Sequence, residues 1–294
     1  MSPALFVTLS VLVGAPPAEA PLQAPGARRV VTLGGSATEL VFALGLGAEV
    51  VGVDETSTYP AAIASLPKLG MYRAISAEGV LSARPTVVVA VDGTGPAAAL
   101  EQLRAARVDV VVVPEVRTAA GLRQRIEHVA RALGVERAGA KLAAEAEARF
   151  AAVAAEVAAQ DAATKGARPR VLFVYARGGG AMNVAGRDTG AAEMIALAGG
   201  APAIDGFAGY KPLTAEAVVG ARPDVVLLTT HGAGSLGGVE ALWGAPGLGL
   251  TPAGRARRVI VLDDALLLGF GPRTPDGVAA LHRALVAAGK GAAR

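Results

Sequence analysis

The sequence contains no cysteine. Disulfide bonds, thiolate metal sites and cysteine nucleophiles are therefore excluded, as is the lipid-modified cysteine that anchors a bacterial lipoprotein. Aromatic residues are also scarce, at 4% of the chain, whereas 52% of the residues are hydrophobic. The core must therefore be built mainly from Ala, Val and Leu. The length of 294 residues is sufficient for two domains of ordinary size.

The chain also lacks a large excess of charge of either sign. The formal net charge is +3, and no basic stretch is interleaved with aromatic residues, so nucleic-acid binding is not predicted. The glycine turn Gly34–Ser36 precedes a predicted helix. It lacks both the G-x-G-x-x-G fingerprint and the Walker lysine, so nucleotide or dinucleotide binding is not indicated either.

Histidine is rare as well, with three in the chain. His128 and His282 lie inside helical patterns, which is typical of surface or core-edge residues. His231 lies in a predicted loop, but no nucleophile or metal-ligand partner stands at motif spacing from it. We therefore do not predict an enzyme.

The first 20 residues have the features of an export signal. An apolar run from Ala4 to Val13 is followed by Gly14–Pro17 and by Ala18–Ala20, which fits a small-x-small cleavage pattern. We expect cleavage after Ala20 and a periplasmic protein. The alternative is a short N-terminal membrane anchor, although the run is shorter than the roughly 20 residues that span a bilayer.

One segment occurs twice, as Ile75–Val89 and as Leu213–Leu227. Each copy predicts a helix capped by Ser or Thr, with Glu78 or Glu216 two residues later, and then an Arg-Pro turn that leads into an apolar strand. Two similar halves are therefore expected.

Strands and helices alternate in both halves, which predicts an α/β fold of two Rossmann-like lobes. We expect the lobes to span residues 28–117 and 168–290. Residues 118–165 form a helical region, and its second helix, from Glu136 to about Ala163, would be roughly 40 Å long at about 1.5 Å per residue. A single long helix of this kind is expected to join the lobes, with a ligand cleft between them.

Loops at the carboxyl ends of the predicted strands supply the candidate ligand-binding residues. They carry cations and phenols and no carboxylate, namely Tyr72, Arg73, Arg177, Tyr210, Lys211 and His231. An anionic ligand is therefore indicated. Glu78 and Glu216 have two interpretations: acidic residues favoured in the first turn of a helix, or a matched pair that docks on a partner with two arginine sites.

The sequence resembles a known family, the periplasmic substrate-binding proteins of haem ABC transporters, within the long-helix class that also serves cobalamin and siderophores. The resemblance covers nearly the whole chain after the predicted signal. It is carried by residues 29–39, 69–79, 210–213, 250–254 and 263–271. Gly-x-x-Arg-x-x-Ser-Ala-Glu-Gly at Gly70–Gly79 and Leu-Leu-Gly-Phe-Gly at Leu267–Gly271 are specific to the haem branch.

The resemblance implies that ferric haem is held between the lobes and that a tyrosine before the Ser-Ala-Glu-Gly helix ligates the iron. That tyrosine is Tyr72, although the family usually places it directly after the glycine and Met71 intervenes here. Arg73 is the nearest positive charge that could lower the pKa of the phenol. Arg177 and His231 stand where relatives have basic or polar residues. They could bond the tyrosine or pair with propionates, and His231 could ligate the iron.

The resemblance also implies the partners. One glutamate on each lobe, here Glu78 and Glu216, docks on arginines of the inner-membrane permease, which works with an ATPase. A monomeric carrier would receive haem from an outer-membrane receptor system, with haem as its transported ligand and no catalytic cofactor. The alternatives are a cobalamin or ferric-siderophore carrier, and an α/β enzyme with a two-lobed cleft. The long-helix hinge predicts modest lobe movement on binding.

Overall fold

Two β-sheets covered by helices make up the part of the chain that is described here, residues 28–176 and 181–290 of a computed structural model. The predicted export signal and Arg177 lie outside these residues. The predicted α/β fold of two lobes is confirmed.

The first lobe contains a four-stranded parallel sheet in the order β2-β1-β3-β4. Its strands are β1 (Val30–Leu33), β2 (Val50–Val53), β3 (Val87–Val91) and β4 (Asp109–Val113). Its helices are α1 (Gly35–Ala43), α2 (Ala77–Ser82) and α3 (Ala97–Ala105). β1 is fully buried and β3 nearly so, as expected for a parallel sheet covered on both faces.

Two helices lead from the first sheet to the second, α4 (Ala119–Ala132) and α5 (Glu136–Ala163). The bounds of α5 agree with the prediction from sequence. Phe150 of α5 belongs to a buried hydrophobic cluster that contains Leu40 of the first lobe and Phe173 of the second. The long helix therefore packs against both lobes.

The second lobe contains a mixed sheet in the order β10-β9-β5-β6-β8, and β7 also pairs with β5. Its strands are β5 (Arg170–Ala176), β6 (Met182–Ala185), β7 (Ala201–Pro202), β8 (Tyr210–Pro212), β9 (Val225–Thr229) and β10 (Val259–Leu262). Its helices are α6 (Gly190–Leu197), α7 (Ala215–Ala221), α8 (Thr230–Ser235), α9 (Pro252–Arg255), α10 (Asp264–Leu268) and α11 (Thr274–Lys290).

Two segments expected to be loops are regular elements. Tyr210 lies in strand β8, which pairs antiparallel with β6 so that Tyr210 stands opposite Ala185. His231 lies in the first turn of α8, where the Thr229 hydroxyl accepts a hydrogen bond from the backbone nitrogen of Gly232 at 3.0 Å. A strand defined by distant pairing and a helix rich in glycine have weak local signals, so both were missed.

The repeated segments fold in the same way. The Ser76 hydroxyl caps α2 and the Thr214 hydroxyl caps α7, and each accepts a hydrogen bond from a backbone nitrogen three residues later at 3.2 Å. Both segments then turn through an arginine in the left-handed region, Arg84 with φ 49° and Arg222 with φ 46°. The predicted equivalence of the two segments is confirmed.

No helix within the described ranges is both long and apolar enough to cross a membrane.

Candidate ligand-binding cleft

The two sheets meet through segments that follow the carboxyl ends of their strands. Glu39 of α1 is 5% exposed and pairs with Arg273, which directly precedes α11. The Arg273 Nε donates to the Glu39 Oε2 at 2.9 Å, and its Nη2 donates to the other carboxylate oxygen. A buried carboxylate held by a guanidinium fork therefore ties the first lobe to the second.

A second guanidinium, that of Arg125 in α4, is buried at the same junction. Its Nη1 donates to the carbonyl oxygens of Gly269 and Phe270, both at 3.1 Å, and its Nη2 donates to the Ser36 hydroxyl at 2.7 Å. Burial lowers the pKa of Arg125 to about 10, so the group stays charged at neutral pH.

We call the set of Ser36, Glu39, Arg125, Gly269, Phe270 and Arg273 the interlobe joint. The joint contains part of the Leu-Leu-Gly-Phe-Gly segment, so this motif connects the lobes. The joint lies where segments that follow the carboxyl ends of both sheets meet, and the crevice at those ends is the candidate ligand-binding cleft.

On the first lobe, Tyr72 lies in a short 3-10 turn between β2 and α2. Its carbonyl oxygen accepts a hydrogen bond from the Gly95 nitrogen at 3.0 Å, and the Ile75 nitrogen donates to the Gly95 carbonyl at 2.9 Å. The ring is half-buried against the core of the lobe, and the Arg73 Cζ lies 5.2 Å from the ring centroid. The loop is therefore fixed in place, with a cation beside the phenol.

Met71 is the more exposed of the two adjacent side chains, with 46% of its surface accessible. Its thioether is a soft and polarizable donor that can also ligate haem iron in proteins. The loop therefore offers two possible iron donors, the phenol of Tyr72 and the sulfur of Met71.

On the second lobe, Tyr210 belongs to an aromatic cluster with Tyr175 and Phe173. Its ring centroid lies 5.8 Å from that of Tyr175 and 6.4 Å from that of Phe173. Phe173 is buried, whereas Tyr210 is 44% exposed. The cluster can present aromatic surface to a planar ligand.

Partial burial raises the pKa of Tyr210 above its usual range, and the neighbouring Tyr175 phenol adds a smaller effect in the same direction. Burial disfavours the charged form of a group, so the Tyr210 phenol remains neutral at physiological pH. As a neutral phenol it suits stacking and hydrogen bonding.

Tyr175 was missed in the sequence interpretation. It is the sixth residue of β5, which places it next to the carboxyl end of a strand in the second sheet. The rule that ligands bind at the carboxyl ends of strands, applied to strands as well as loops, would have identified it.

His231 is exposed, and its backbone nitrogen donates a hydrogen bond to the Asp264 Oδ2 at 2.9 Å. A carboxylate from outside the predicted cleft loops, that of Asp264, therefore lies beside the His231 backbone. The loop before α4 places a second one, Glu115, close enough to act on the pKa of Tyr210. Lys211 stacks on Phe207, with 4.8 Å between Nζ and the ring centroid.

The candidate residues stay on their own lobes. No hydrogen bond, ion pair or ring contact among the described residues joins Tyr72 or Arg73 to Tyr210 or His231. The two groups therefore make no direct polar or ring contact with each other within the described residues.

A chelating metal centre is not formed by this arrangement. In the described ranges, no three His, Asp or Glu side chains cluster closely enough to hold a metal ion. A metal bound in the cleft would need a ligand set of its own, as iron has in a porphyrin.

Glu78 and Glu216 lie in the first turns of α2 and α7, and both side chains are exposed. Neither forms an ion pair with another residue in the described part of the chain. Both carboxylates are therefore available to an external partner.

Comparison with known proteins gives strong matches to heme-binding proteins of known structure. The periplasmic heme-binding protein RhuT from Roseiflexus sp. RS-1, in apo form, is 44% identical with a TM-score of 0.85, and the match covers 90% of this chain and 99% of that one. The periplasmic heme-binding protein BhuT, in complex with two hemes, is 47% identical with a TM-score of 0.83 and the same coverage.

Curated relatives are more distant. The uncharacterized ABC transporter substrate-binding lipoprotein YvrC of Bacillus subtilis is 27% identical over 88% of this chain and 80% of its own length. The vitamin B12-binding protein of Vibrio campbellii is 27% identical over 74% of this chain and 76% of its own. These relatives are binding proteins. The family model described as "Periplasmic binding protein" matches residues 30–266, and the chain belongs to that family.

Proposed function

We propose that this chain is the substrate-binding component of a haem ABC importer, which binds ferric haem between its lobes and delivers it to a permease. One observation carries the proposal most directly. The chain is 47% identical to a heme-binding protein. Its candidate cleft has a phenol and a cation on one lobe and an aromatic cluster on the other. Its role is to bind and release a ligand, with no chemical turnover.

Tyr72 is the proposed iron ligand. A phenolate is a suitable donor for ferric iron, and the guanidinium of Arg73 lies beside the Tyr72 ring. Met71 is the alternative donor on the same loop. The cluster of Tyr175 and Tyr210 would pack on the porphyrin from the second lobe.

The remaining candidate residues suit the propionates. Arg73 and His231 are exposed, and Arg177 follows β5 directly in the sequence. Guanidinium groups bind carboxylates through paired hydrogen bonds. His231 would bond a propionate or ligate the iron from the second lobe.

The proposed partners are the inner-membrane permease and its ATPase. Two exposed and unpaired carboxylates, one on each lobe at equivalent places in the repeat, support docking on a surface with two arginine sites. The periplasm is the proposed location, with a signal cleaved after Ala20, and an outer-membrane receptor system would supply the haem to this monomeric carrier.

A cobalamin carrier is the second candidate, favoured by the likeness to vitamin B12-binding proteins. Equilibrium dialysis of residues 21–294 against hemin and against cyanocobalamin distinguishes a haem carrier from a cobalamin carrier. We expect saturable binding of hemin and at least a hundredfold weaker binding of cobalamin, since a corrin offers no anionic propionates to the cations of the cleft. Saturable cobalamin binding without hemin binding would overturn the haem assignment.

A further inference from the structure

Each helix that carries a docking glutamate is held at its carboxyl end by an arginine at the start of the first strand of its own lobe. In the first lobe this arginine is Arg29, directly before β1. Its Nε donates to the Arg84 carbonyl oxygen and its Nη2 donates to the Ala83 carbonyl oxygen, both at 2.8 Å. These two carbonyls follow α2, the helix of Glu78.

The second lobe repeats the arrangement with Arg170, the first residue of β5. Its Nε donates to the Ala221 carbonyl oxygen at 2.9 Å, at the end of α7, the helix of Glu216. Its Nη2 donates to the Ala203 carbonyl oxygen at 2.7 Å, just after β7. Ala221 occupies the place in the second repeat that Ala83 has in the first.

The backbone of both arginines is fixed in matching ways. The Arg29 nitrogen donates to the Thr86 hydroxyl at 2.9 Å, and the Arg170 nitrogen donates to the Asp224 carboxylate at 2.9 Å. Thr86 and Asp224 are again equivalent positions of the repeat. The backbone nitrogens of both arginines therefore donate to side chains at equivalent positions, a hydroxyl in the first lobe and a carboxylate in the second.

The helices concerned need such support, because α2 has 6 residues and α7 has 7. Helices this short are not stable alone in water. Hydroxyl caps hold their amino ends, and a cation at the carboxyl end bonds the last carbonyls and interacts favourably with the helix dipole. β1 and β5 are inner strands of their sheets, so the helices are fixed to the centre of each lobe.

We propose that Arg29 and Arg170 are positioning residues for permease docking. They hold Glu78 and Glu216 in fixed orientations relative to the sheet of each lobe, so that the spacing of the two carboxylates follows the arrangement of the lobes. The partner is a membrane protein surface with two separated cationic sites. This inference rests on the docking role of the two glutamates in the proposed function.

A double-mutant cycle between Arg29→Met and Glu78→Ala tests the proposal. The readout is the concentration of haem-loaded chain that half-maximally stimulates the ATPase of the cognate permease complex in nanodiscs. We expect Arg29→Met to raise this concentration roughly threefold or more when Glu78 is present, and by less than about twofold in the Glu78→Ala background. Hemin affinity should not change.

The matched control is Arg28→Met, which removes the same charge one residue earlier, where the side chain pairs with Glu49 at 2.8 Å. We expect Arg28→Met to leave the half-saturating concentration for ATPase stimulation unchanged. If Arg29→Met does not fold, as judged by its melting curve, Arg29→Lys keeps the charge with fewer hydrogen bonds and should give a smaller shift in the same direction.

The outcomes separate the inference from the proposed function. If Glu78→Ala alone leaves the half-saturating concentration unchanged, the docking role of the glutamate fails. If Glu78→Ala raises it but folded Arg29→Met or Arg29→Lys does not, the positioning role is overturned. An Arg29→Met effect of equal size with and without Glu78 would also overturn it, because the arginine would then act on docking independently of that carboxylate.

Discussion

At the residue scale, the four tyrosines of the chain lie in three environments. Tyr59 packs against Arg273 of the interlobe joint, with the Arg273 Cζ 3.6 Å from the Tyr59 ring centroid. Tyr72 lies on the first lobe beside Arg73, and Tyr175 and Tyr210 pair with each other on the second lobe. Partial burial raises the pKa of Tyr210 and so disfavours its phenolate form.

The pKa of Tyr210 can be tested by a tyrosinate absorbance titration of the folded protein. Because the pKa is raised, the folded state holds the phenol proton more tightly than the unfolded state does. The stability that this provides is present below the ordinary pKa and is lost as the pH rises through the folded pKa. We expect Tyr210→Phe to remove a step that titrates above the ordinary range of tyrosine, whereas loss of a step within or below that range would contradict the assigned environment.

The sequence could predict the neighbours Tyr72 and Arg73, because residues adjacent in a short turn stay close in any fold. It could not predict the contacts of Arg125, whose carbonyl partner Gly269 lies 144 positions away. A buried arginine in a helical pattern has no local signature that separates it from a surface arginine. Such residues are identified only once the lobes are assembled.

At the scale of elements, the repeated segments were predictable because their signals are local. Three signals lie within a few residues of each helix. They are a hydroxyl residue before it, a glutamate in its first turn and an Arg-Pro pair after it. The anchoring of both helices by Arg29 and Arg170 was not predicted, since each bond connects residues more than 50 positions apart.

The interlobe joint depends on a buried ion pair, and its loss can be measured. We expect Arg273→Met to lower the free energy of unfolding by about 2–4 kcal/mol, because it leaves the carboxylate of Glu39 buried without its partner. The double variant Glu39→Gln with Arg273→Met should lose less free energy of unfolding, since no charge is then left unpaired. Urea denaturation measures both, and an equal loss in the two proteins would argue against a buried unpaired charge.

At the scale of the whole molecule, one hydrophobic cluster runs from the first lobe through α5 into the second. Together with the interlobe joint, this continuous core opposes large rotations of one lobe against the other. The expectation of modest movement, first drawn from the length of the predicted helix, is supported by contacts that the sequence did not reveal.

The absence of cysteine makes this movement measurable by spin labelling. Ser82→Cys and Gly220→Cys place labels at equivalent exposed positions of the two repeated segments, and a side chain at Gly220 meets no neighbour within 4 Å. We expect the distance between the labels to change by less than about 3 Å when hemin binds, as for a rigid helical hinge. A change near 10 Å would indicate a large domain closure and contradict the role of α5 and the joint.

The most direct test of the account is an absorption titration of residues 21–294 with hemin, repeated on Tyr72→Phe, with Met71→Leu and Tyr59→Phe as matched variants. We predict a saturable Soret band with high-spin charge-transfer features, which changes in Tyr72→Phe and stays the same in Tyr59→Phe. A band altered only in Met71→Leu would keep haem and move the ligand to the thioether. The absence of any saturable band would contradict the proposal that this chain carries haem.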